Sequence, residues 1–302
     1  MLQIIALSSQ LGTNKTLAVN VYDQAIVLFR DKDGKVVALE DRCPHRRVPL
    51  SLGKVIQGEL RCAYHGWTFN GNTGACTNIP NLSAKESVPA KLKAQAFIVQ
   101  EHKGFIYWQR SDSVHVALPP VIFSESNYHA KNEGIASLTL SMEAYRSVLF
   151  DGPEMLISFY GIGITDYFLG DVMETEQSIT IDRAADWQLT GRKPSWKSPD
   201  YPLIIRSEIF KNSTCAKISL LNSAEQVLIE VYLSVVPDKR STSRILWQAR
   251  SYQAYFDSAP LLNRVKCSWR KNLVKVHEVL NAKKINSLML GPSARLQSIN
   301  VR

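Results

Sequence analysis

The sequence lacks any apolar run close to the roughly 20 residues needed to span a bilayer. It has no basic N-terminal segment followed by an apolar core and a small-residue cleavage site, and no low-complexity tract. Leu2–Leu7 is short and apolar, which fits a first strand better than a signal sequence. We therefore expect a cytoplasmic protein that is neither exported nor inserted in a membrane.

Cysteine is also scarce, with 5 in 302 residues. Cys43 and Cys62 each stand in a short motif with histidine, whereas Cys76, Cys215 and Cys267 show no motif spacing. An odd set of thiols favours a reducing compartment over a disulfide framework. The length and a hydrophobic content of 45% allow one large or two medium domains.

The basic residues are numerous but not clustered with aromatics. There are 36 Lys and Arg against 27 Asp and Glu, which gives a net charge of +9. Because the charge is spread out, we do not expect nucleic-acid binding. The densest group is interleaved with apolar residues in a predicted helix: Arg264, Lys266, Arg270, Lys271 and Lys275. We interpret it as a solvated helix face; the alternative is a docking surface for an acidic ferredoxin or reductase.

Two short motifs carry the chemistry, Cys43-x-His45 and Cys62-x-x-His65. In a Rieske centre, two Cys hold one iron of a [2Fe–2S] cluster and two His hold the other. Neutral imidazoles in place of two thiolates raise the reduction potential above that of an all-Cys ferredoxin. The alternative is a structural zinc site of Cys₂His₂ type. The flanking sequence, with His-Gly-Trp after the second motif, favours the iron–sulfur interpretation.

The residues around these motifs resemble the terminal (alpha) subunits of Rieske non-haem iron oxygenases, in the vanillate-demethylase-like monooxygenase branch. The similarity is strongest over residues 41–55 and 62–69, followed by Ile79 and Pro80. Respiratory Rieske proteins carry a further disulfide between the two loops, and its positions are Val48 and Tyr64 here. The resemblance therefore implies an oxygenase-type cluster of lower potential.

The resemblance also assigns supporting roles around the predicted cluster. Arg46, beside one ligand, and Tyr64, between two others, are placed to hydrogen-bond or shield it. Trp67 is expected to pack beneath the second loop, and Gly66 to allow a close backbone approach.

Turn signals divide the first third of the chain into short strands. Residues 25–29 and 36–39 flank Asp33-Gly34, and residues 97–99 and 105–108 flank a turn with Gly104. Residues 124–133 resemble a linker after Pro119-Pro120. We predict an α+β protein, with a small antiparallel β Rieske domain at 1–115 and a second domain at 116–302.

The second domain is predicted as an antiparallel sheet followed by a C-terminal helix. The predicted strands are 135–142, 178–181, 203–210, 216–221, 227–236 and 244–252, with a turn at Pro237-Asp238. From Leu261, apolar residues that include Val276 and Leu280 recur at helical spacing. The resemblance implies a helix-grip catalytic domain and an assembly that is often a head-to-tail trimer.

The family's second metal site is degenerate in this sequence. Members hold a mononuclear ferrous iron with two His and one carboxylate, in an Asn-x-x-Asp-x-x-His-x-x-x-x-His pattern near a Tyr-Arg pair. Here Asp151 and Glu154 match the first two positions, but Ile157 and Ile162 stand at the histidines. Isoleucine cannot bind a metal.

No shift of the alignment restores the missing imidazoles. The sequence has no His between His129 and His277, and we interpret both of these as ordinary histidines, the second on the C-terminal helix. Asp257 is the one match for the last carboxylate, although its position also fits a helix N-cap. The pair Asp151 and Glu154 either preserves a subunit contact with the cluster ligands or is a helix N-terminal pair.

Three functions follow from this pattern. The first is an oxidoreductase subunit that keeps its [2Fe–2S] cluster but has lost its own iron triad, as an electron-transfer or structural subunit of a mixed oxygenase. The second is an active monooxygenase or demethylase with unorthodox iron ligands. The third is a non-enzymatic Rieske carrier or redox sensor. The expected partners are a ferredoxin or flavin reductase as electron donor and a related oxygenase subunit in a homo- or hetero-oligomer.

Overall fold

The chain divides into two compact units, Met1–Leu118 and Pro119–Arg302. The computed structural model describes residues 2–83, 86–109, 123, 127–138, 142–188, 202–211, 213–239, 242–260 and 272–277. The boundary predicted near residue 115 lies outside the described residues and stays a prediction.

In its described residues, the first unit has ten strands. They are β1 (Leu2–Leu7), β2 (Leu17–Val21), β3 (Gln24–Arg30), β4 (Val36–Glu40), β5 (Lys54–Ile56), β6 (Glu59–Arg61), β7 (Thr68–Phe69), β8 (Cys76–Asn78), β9 (Ala96–His102) and β10 (Phe105–Gln109). They form a six-stranded antiparallel sheet in the order β1-β10-β9-β4-β3-β2 and a four-stranded one in the order β5-β6-β7-β8. Short 3₁₀ turns lie at Ser8–Gln10 and Leu50–Leu52.

The predicted hairpin around Asp33-Gly34 is confirmed. Strand β3 pairs antiparallel with β4, and Gly34 has a φ of +79°, a conformation that glycine adopts without strain. Side chains of β3 alternate between two cores because successive residues of a strand point to opposite faces. Val27 and Phe29 pack with the residues that flank the Cys-His motifs, whereas the neighbouring residues of β3 pack with β1 and β10.

The second unit has ten strands and three helices in the described residues. They are β11 (Ala130–Leu138), α1 (Met142–Asp151), α2 (Pro153–Leu156), β12 (Ile157–Phe159), β13 (Ile162–Phe168), β14 (Met173–Glu174), β15 (Ser178–Trp187), β16 (Leu203–Phe210), β17 (Cys215–Leu221), β18 (Val227–Lys239), β19 (Thr242–Ser251), α3 (Gln253–Ser258) and β20 (Val274–Val276). An eight-stranded antiparallel sheet runs β11-β19-β18-β17-β16-β15-β13, with β14 also paired to β15. Strands β12 and β20 form a separate pair.

One face of the large sheet carries the hydrophobic core of this unit. Val231, Leu233 and Val235 alternate along β18 and pack in the same cluster as Val148 and Leu149 of α1. Together with Tyr145 of the same cluster they follow an i, i+3, i+4 spacing, which places all three on one side of α1. The helix therefore covers the apolar face of the sheet.

Two predicted strand ends are wrong. The strand predicted to reach Met142 ends at Leu138, and Met142 begins α1, whose buried Tyr145, Val148 and Leu149 recur at helical spacing. The turn predicted at Pro237-Asp238 lies inside β18. At Pro237, β18 still pairs with β19 but no longer with β17. Because proline has no N–H, it can occupy a strand position whose N–H side has no neighbouring strand without the loss of a sheet hydrogen bond.

The predicted C-terminal helix does not include Val276. This residue lies in β20, paired with Ile157 of β12, so the helical interpretation of its spacing is wrong at this position. The rest of the prediction falls on residues 261–271 and 278–302, which lie outside the described residues. The predicted linker also ends earlier than expected, since β11 begins at Ala130.

Candidate metal centre

The two motif loops have the same backbone fold. The N–H of Cys43 donates to Val48 O and the N–H of Cys62 donates to Trp67 O, both at 2.8 Å. A second hydrogen bond closes each loop, from the N–H of Arg47 to Cys43 O at 2.8 Å and from the N–H of Gly66 to Cys62 O at 3.1 Å. Two rigid tight turns thus present the four side chains.

The closing residue of each loop is left-handed, with φ of +61° at Arg47 and +71° at Gly66. A Cβ atom at Gly66 would lie 3.0 Å from Pro80 Cγ and 3.2 Å from Arg61 Nε. Both the backbone angle and the close neighbours therefore favour glycine here, as expected from the sequence.

The loops bring the four predicted ligands together as two pairs. The thiols of Cys43 and Cys62 are buried, and they lie close enough that the Cys62 thiol raises the pKa of the Cys43 thiol. The imidazoles of His45 and His65 are exposed, with their Nδ1 atoms 3.1 Å apart. The sulfur pair therefore lies inside the protein and the nitrogen pair at its surface.

Loss of hydration raises the pKa of the Cys43 thiol, and the Cys62 thiol adds to this effect. Partial desolvation lowers the pKa of His45, as do the nearby His65 and Arg46. A lowered pKa favours the neutral form of His45, the form in which imidazole binds metals. A metal centre at these positions requires imidazole nitrogens with a free lone pair and thiols that lose their protons when the metal binds.

Each imidazole lies against an aromatic ring of the second loop. The ring of Trp67 stacks parallel on that of His45, with centroids 4.5 Å apart and an interplanar angle of 2°. The ring of Tyr64 lies 3.9 Å from that of His65 at 36°. Trp67 therefore packs against the ligand of the opposite loop, a contact that sequence spacing did not predict.

The start of the first loop is anchored by Asp41. Its carboxylate accepts hydrogen bonds at 2.6 Å from both the N–H and the hydroxyl of Ser51. The carbonyl of Ser51 in turn accepts from the Thr16 hydroxyl at 2.7 Å. Outer contacts of this kind hold metal ligands in a fixed orientation.

The donor set fits a [2Fe–2S] cluster of Rieske type. Such a cluster takes two thiolates on one iron and two imidazoles on the other, and the four side chains are paired in this way. In the described part of the chain, no three His, Cys, Asp or Glu side chains are grouped so that they could hold one metal ion. A tetrahedral Cys₂His₂ zinc site needs all four donors around a single ion, so the zinc alternative fits less well.

The residues expected at the second metal site lie on four different elements, α1, α2, β12 and β13. Ile157 is fully buried in β12 and Ile162 is half-buried in β13. Asp151 ends α1 and is buried, with its backbone carbonyl accepting from Arg183 Nη2. Glu154 lies in the first turn of α2.

Asp257 is not at a helix N-cap. It lies near the end of α3, is exposed, and accepts a hydrogen bond from Gln253 Nε2 at 3.1 Å. The sequence around it predicted a helix that begins after Asp257, but the helix there begins earlier, at Gln253.

His277 was interpreted as a histidine of the C-terminal helix, and this is wrong. It directly follows β20, where its N–H donates to Leu156 O at 2.9 Å and its Nε2 lies 3.1 Å from Ser158 Oγ. Desolvation lowers the pKa of His277, and the nearby Lys275 adds to this. Pairing of β20 with β12 thus brings the imidazole of His277 to the hydroxyl of Ser158, the residue after Ile157. The two segments are far apart in sequence, so no local motif predicts this contact.

Comparison with known proteins identifies the first unit. The Rieske [2Fe-2S] domain family matches residues 1–113. Over 101 residues, the chain is 39% identical to the chloroplastic protein TIC 55 of Arabidopsis thaliana, an alignment that covers 33% of this chain and 19% of that protein. The chain therefore spans about a fifth of this relative.

The likeness to solved structures covers the whole chain. Dicamba monooxygenase bound to dicamba superposes with a TM-score of 0.66 at 21% identity, covering 100% of this chain and 90% of that one. The oxygenase in an oxygenase–ferredoxin complex of carbazole 1,9a-dioxygenase gives 0.58 at 15% identity, covering 88% and 74%. These likenesses confirm the predicted fold class, two antiparallel-sheet units with few helices, but not the vanillate-demethylase-like branch.

No helix in the described ranges is both long and apolar enough to cross a membrane. The cytoplasmic location stays a prediction. The chain therefore carries a Rieske [2Fe-2S] domain at residues 1–113, and over its full length it has the fold of dicamba monooxygenase.

Proposed function

We propose that this chain is a Rieske-oxygenase-type oxidoreductase subunit that transfers electrons through a [2Fe–2S] cluster and lacks a mononuclear iron triad of its own. It serves as an electron-transfer or structural subunit of a mixed oxygenase. The observation that carries the proposal is the paired arrangement of two buried thiols and two exposed imidazoles on matched loops. Buried sulfurs and surface nitrogens suit a centre that exchanges electrons with another protein.

Within this proposal, Cys43 and Cys62 hold the inner iron and His45 and His65 the outer one. A bound Rieske cluster supplies one-electron chemistry at a potential above that of all-Cys clusters. Trp67 keeps the ring of His45 in one plane by stacking on it. Tyr64 covers the ring of His65.

The loss of the second iron site is inferred from the environment of the two isoleucines. The side chain of Ile157 is buried in the hydrophobic core and offers no donor atom. The remaining carboxylates, Asp151, Glu154 and Asp257, are hard oxygen donors, which do not replace the imidazoles of an iron facial triad. Oxygen activation would then fall to a related subunit that retains its triad.

The proposed partners follow from the same role. A subunit without its own source of electrons requires a ferredoxin or a flavin reductase, and the oxygenase of carbazole 1,9a-dioxygenase has been solved in complex with a ferredoxin. We further propose a homo- or hetero-oligomer, a trimer as in related oxygenases, with a triad-containing subunit.

Metal and sulfide analysis after anaerobic reconstitution tests the proposal. We expect two irons and two acid-labile sulfides per chain. His45→Ala and Cys62→Ser variants should lose the visible absorption of the cluster, because each removes one of four donors. A spectrum that survives both substitutions contradicts the ligand assignment.

A second candidate function is an active monooxygenase with unorthodox ligands, and one observation favours it. Strand β20 brings His277 next to β12, where the first expected histidine position is Ile157. A third iron per chain that binds nitric oxide as a ferrous complex, and is lost in His277→Ala, would establish this alternative. Copurification with a triad-containing homologue distinguishes the mixed oxygenase from a non-enzymatic carrier, because only the mixed oxygenase requires such a partner.

A further inference from the structure

The short strand pair β12–β20 of the second unit has one buried face and one open face. Ile157 and Phe159 of β12 are buried, whereas Ser158 between them is half-buried. In β20, Val274 is buried and the next residue, Lys275, is exposed. Successive side chains of a strand point to opposite faces. Ser158 and Lys275, which are direct partners in the register, therefore share the open face.

An imidazole lies on the same face. His277 follows Lys275 by two residues and is half-buried. Its Nε2 atom lies 3.1 Å from Ser158 Oγ, a distance at which an imidazole can take the proton of a hydroxyl. The N–H of His277 donates to Leu156 O at 2.9 Å, so the main chain holds the ring in place. A potential nucleophile and a potential base thus meet at a partly open surface.

The surroundings of this pair favour transfer of the hydroxyl proton to the ring. Desolvation and the nearby Lys275 lower the pKa of His277, which favours the neutral imidazole that can accept a proton. In the described ranges, Lys275 takes part in no ion pair. Its ammonium group therefore remains available to an oxygen atom on which negative charge develops.

We propose that Ser158 is a nucleophilic serine that accepts the acyl group of an ester or thioester, with His277 as its general base and Lys275 as the cation beside the developing oxyanion. The bond from Oγ to the carbonyl carbon forms, and the bond from that carbon to the leaving oxygen or sulfur breaks. The proton passes from Oγ to Nε2 and then to the leaving group, so no oxidant or reductant is consumed. This modification site is independent of the predicted cluster.

Another serine of the same unit provides a matched control. Ser137 of β11 is exposed and lies directly opposite Arg244 of β19, just as Ser158 lies opposite Lys275. Among the described residues, no imidazole is hydrogen-bonded to Ser137. The two serines therefore share a neighbouring cation, and only one of them has a base.

Acetylation of the full-length protein by p-nitrophenyl acetate tests the proposal. Release of p-nitrophenolate gives the rate, and peptide mass spectrometry locates the acetyl group. We expect the group on Ser158 and a rate at that position about a hundredfold lower in His277→Gln, because general-base catalysis contributes roughly 10²–10⁴-fold. Lys275→Gln should lower the rate several-fold, and Ser137→Ala should leave it unchanged. Acetyl groups found only on lysines or on Ser137, or an equal rate in His277→Gln, overturn the proposal.

A second pair of variants leaves His277 in place, in case its substitution disturbs folding. Iodoacetamide should alkylate the new thiol of Ser158→Cys roughly tenfold faster than that of Ser137→Cys, because an adjacent imidazole promotes the reactive thiolate. Equal rates for the two thiols contradict a base at Ser158. A third iron that is lost in His277→Ala would place a metal on the nitrogen that the base requires, and would likewise overturn the proposal.

Discussion

Replacement of Gly53 by alanine tests how tightly the segment after the first motif loop packs against the residue that precedes the second motif loop. A Cβ atom at Gly53 would lie 2.2 Å from Arg61 O and 2.9 Å from Leu50 O. Contacts under 3.0 Å are essentially never seen, so the Arg61 carbonyl must move by at least 3.0 − 2.2 = 0.8 Å. Both neighbours are backbone atoms, so no side-chain rotation relieves the contact.

The displacement acts directly on a predicted ligand. The carbonyl of Arg61 and the N–H of Cys62 belong to one planar peptide group. That N–H donates to Trp67 O at 2.8 Å, and a shift of this size breaks or greatly lengthens the hydrogen bond. We expect a loss of about 1–3 kcal/mol from overpacking and about 1 kcal/mol from the hydrogen bond. The first unit should therefore be destabilised by about 2–4 kcal/mol.

Urea unfolding followed by circular dichroism measures this loss, and the release of iron to a chelator measures the effect on the cluster. Gly12→Ala is the matched control, because its Cβ would meet only Lys15 Cγ at 3.5 Å, an ordinary contact with a flexible side chain. The control should change stability by less than about 1 kcal/mol. Equal unfolding curves for the two variants would refute the argument that the loops are held at contact distance.

Three further predictions concern single contacts in the first unit. Trp67→Leu removes the ring stacked on His45, and chelators should then release iron several-fold faster than from Tyr64→Phe, which keeps its ring. Asp41→Ala removes both acceptors of Ser51 and should lower the free energy of unfolding by about 2 kcal/mol, measured in urea; an unchanged midpoint would show that the first loop needs no anchor. The hydrogen bond from Arg30 lowers the pKa of Glu101, so this stabilisation is present above the ordinary carboxyl pKa and is lost as the pH falls through the folded value. Acid unfolding curves of the wild type and Glu101→Gln should consequently converge at low pH, and a constant gap would contradict this sign.

The sequence by itself determined the features that depend on local spacing. Cys43-x-His45 and Cys62-x-x-His65 identified the cluster type because each pair must come from one short loop. The hairpin at Gly34 followed from the need for a positive φ in a tight turn. The spans predicted as strands at 203–210, 216–221 and 227–236 coincide with β16, β17 and β18 to within a few residues.

Tertiary structure decided the features that join distant segments. Proline at position 237 remains in a strand because β18 has lost its second neighbour there, which no local pattern reports. His277 contacts Ser158 because β20 pairs with β12, and Trp67 stacks on His45 because the two loops face each other. These contacts depend on where strands end and which strands pair, and both are settled by packing over the whole unit rather than by neighbouring residues.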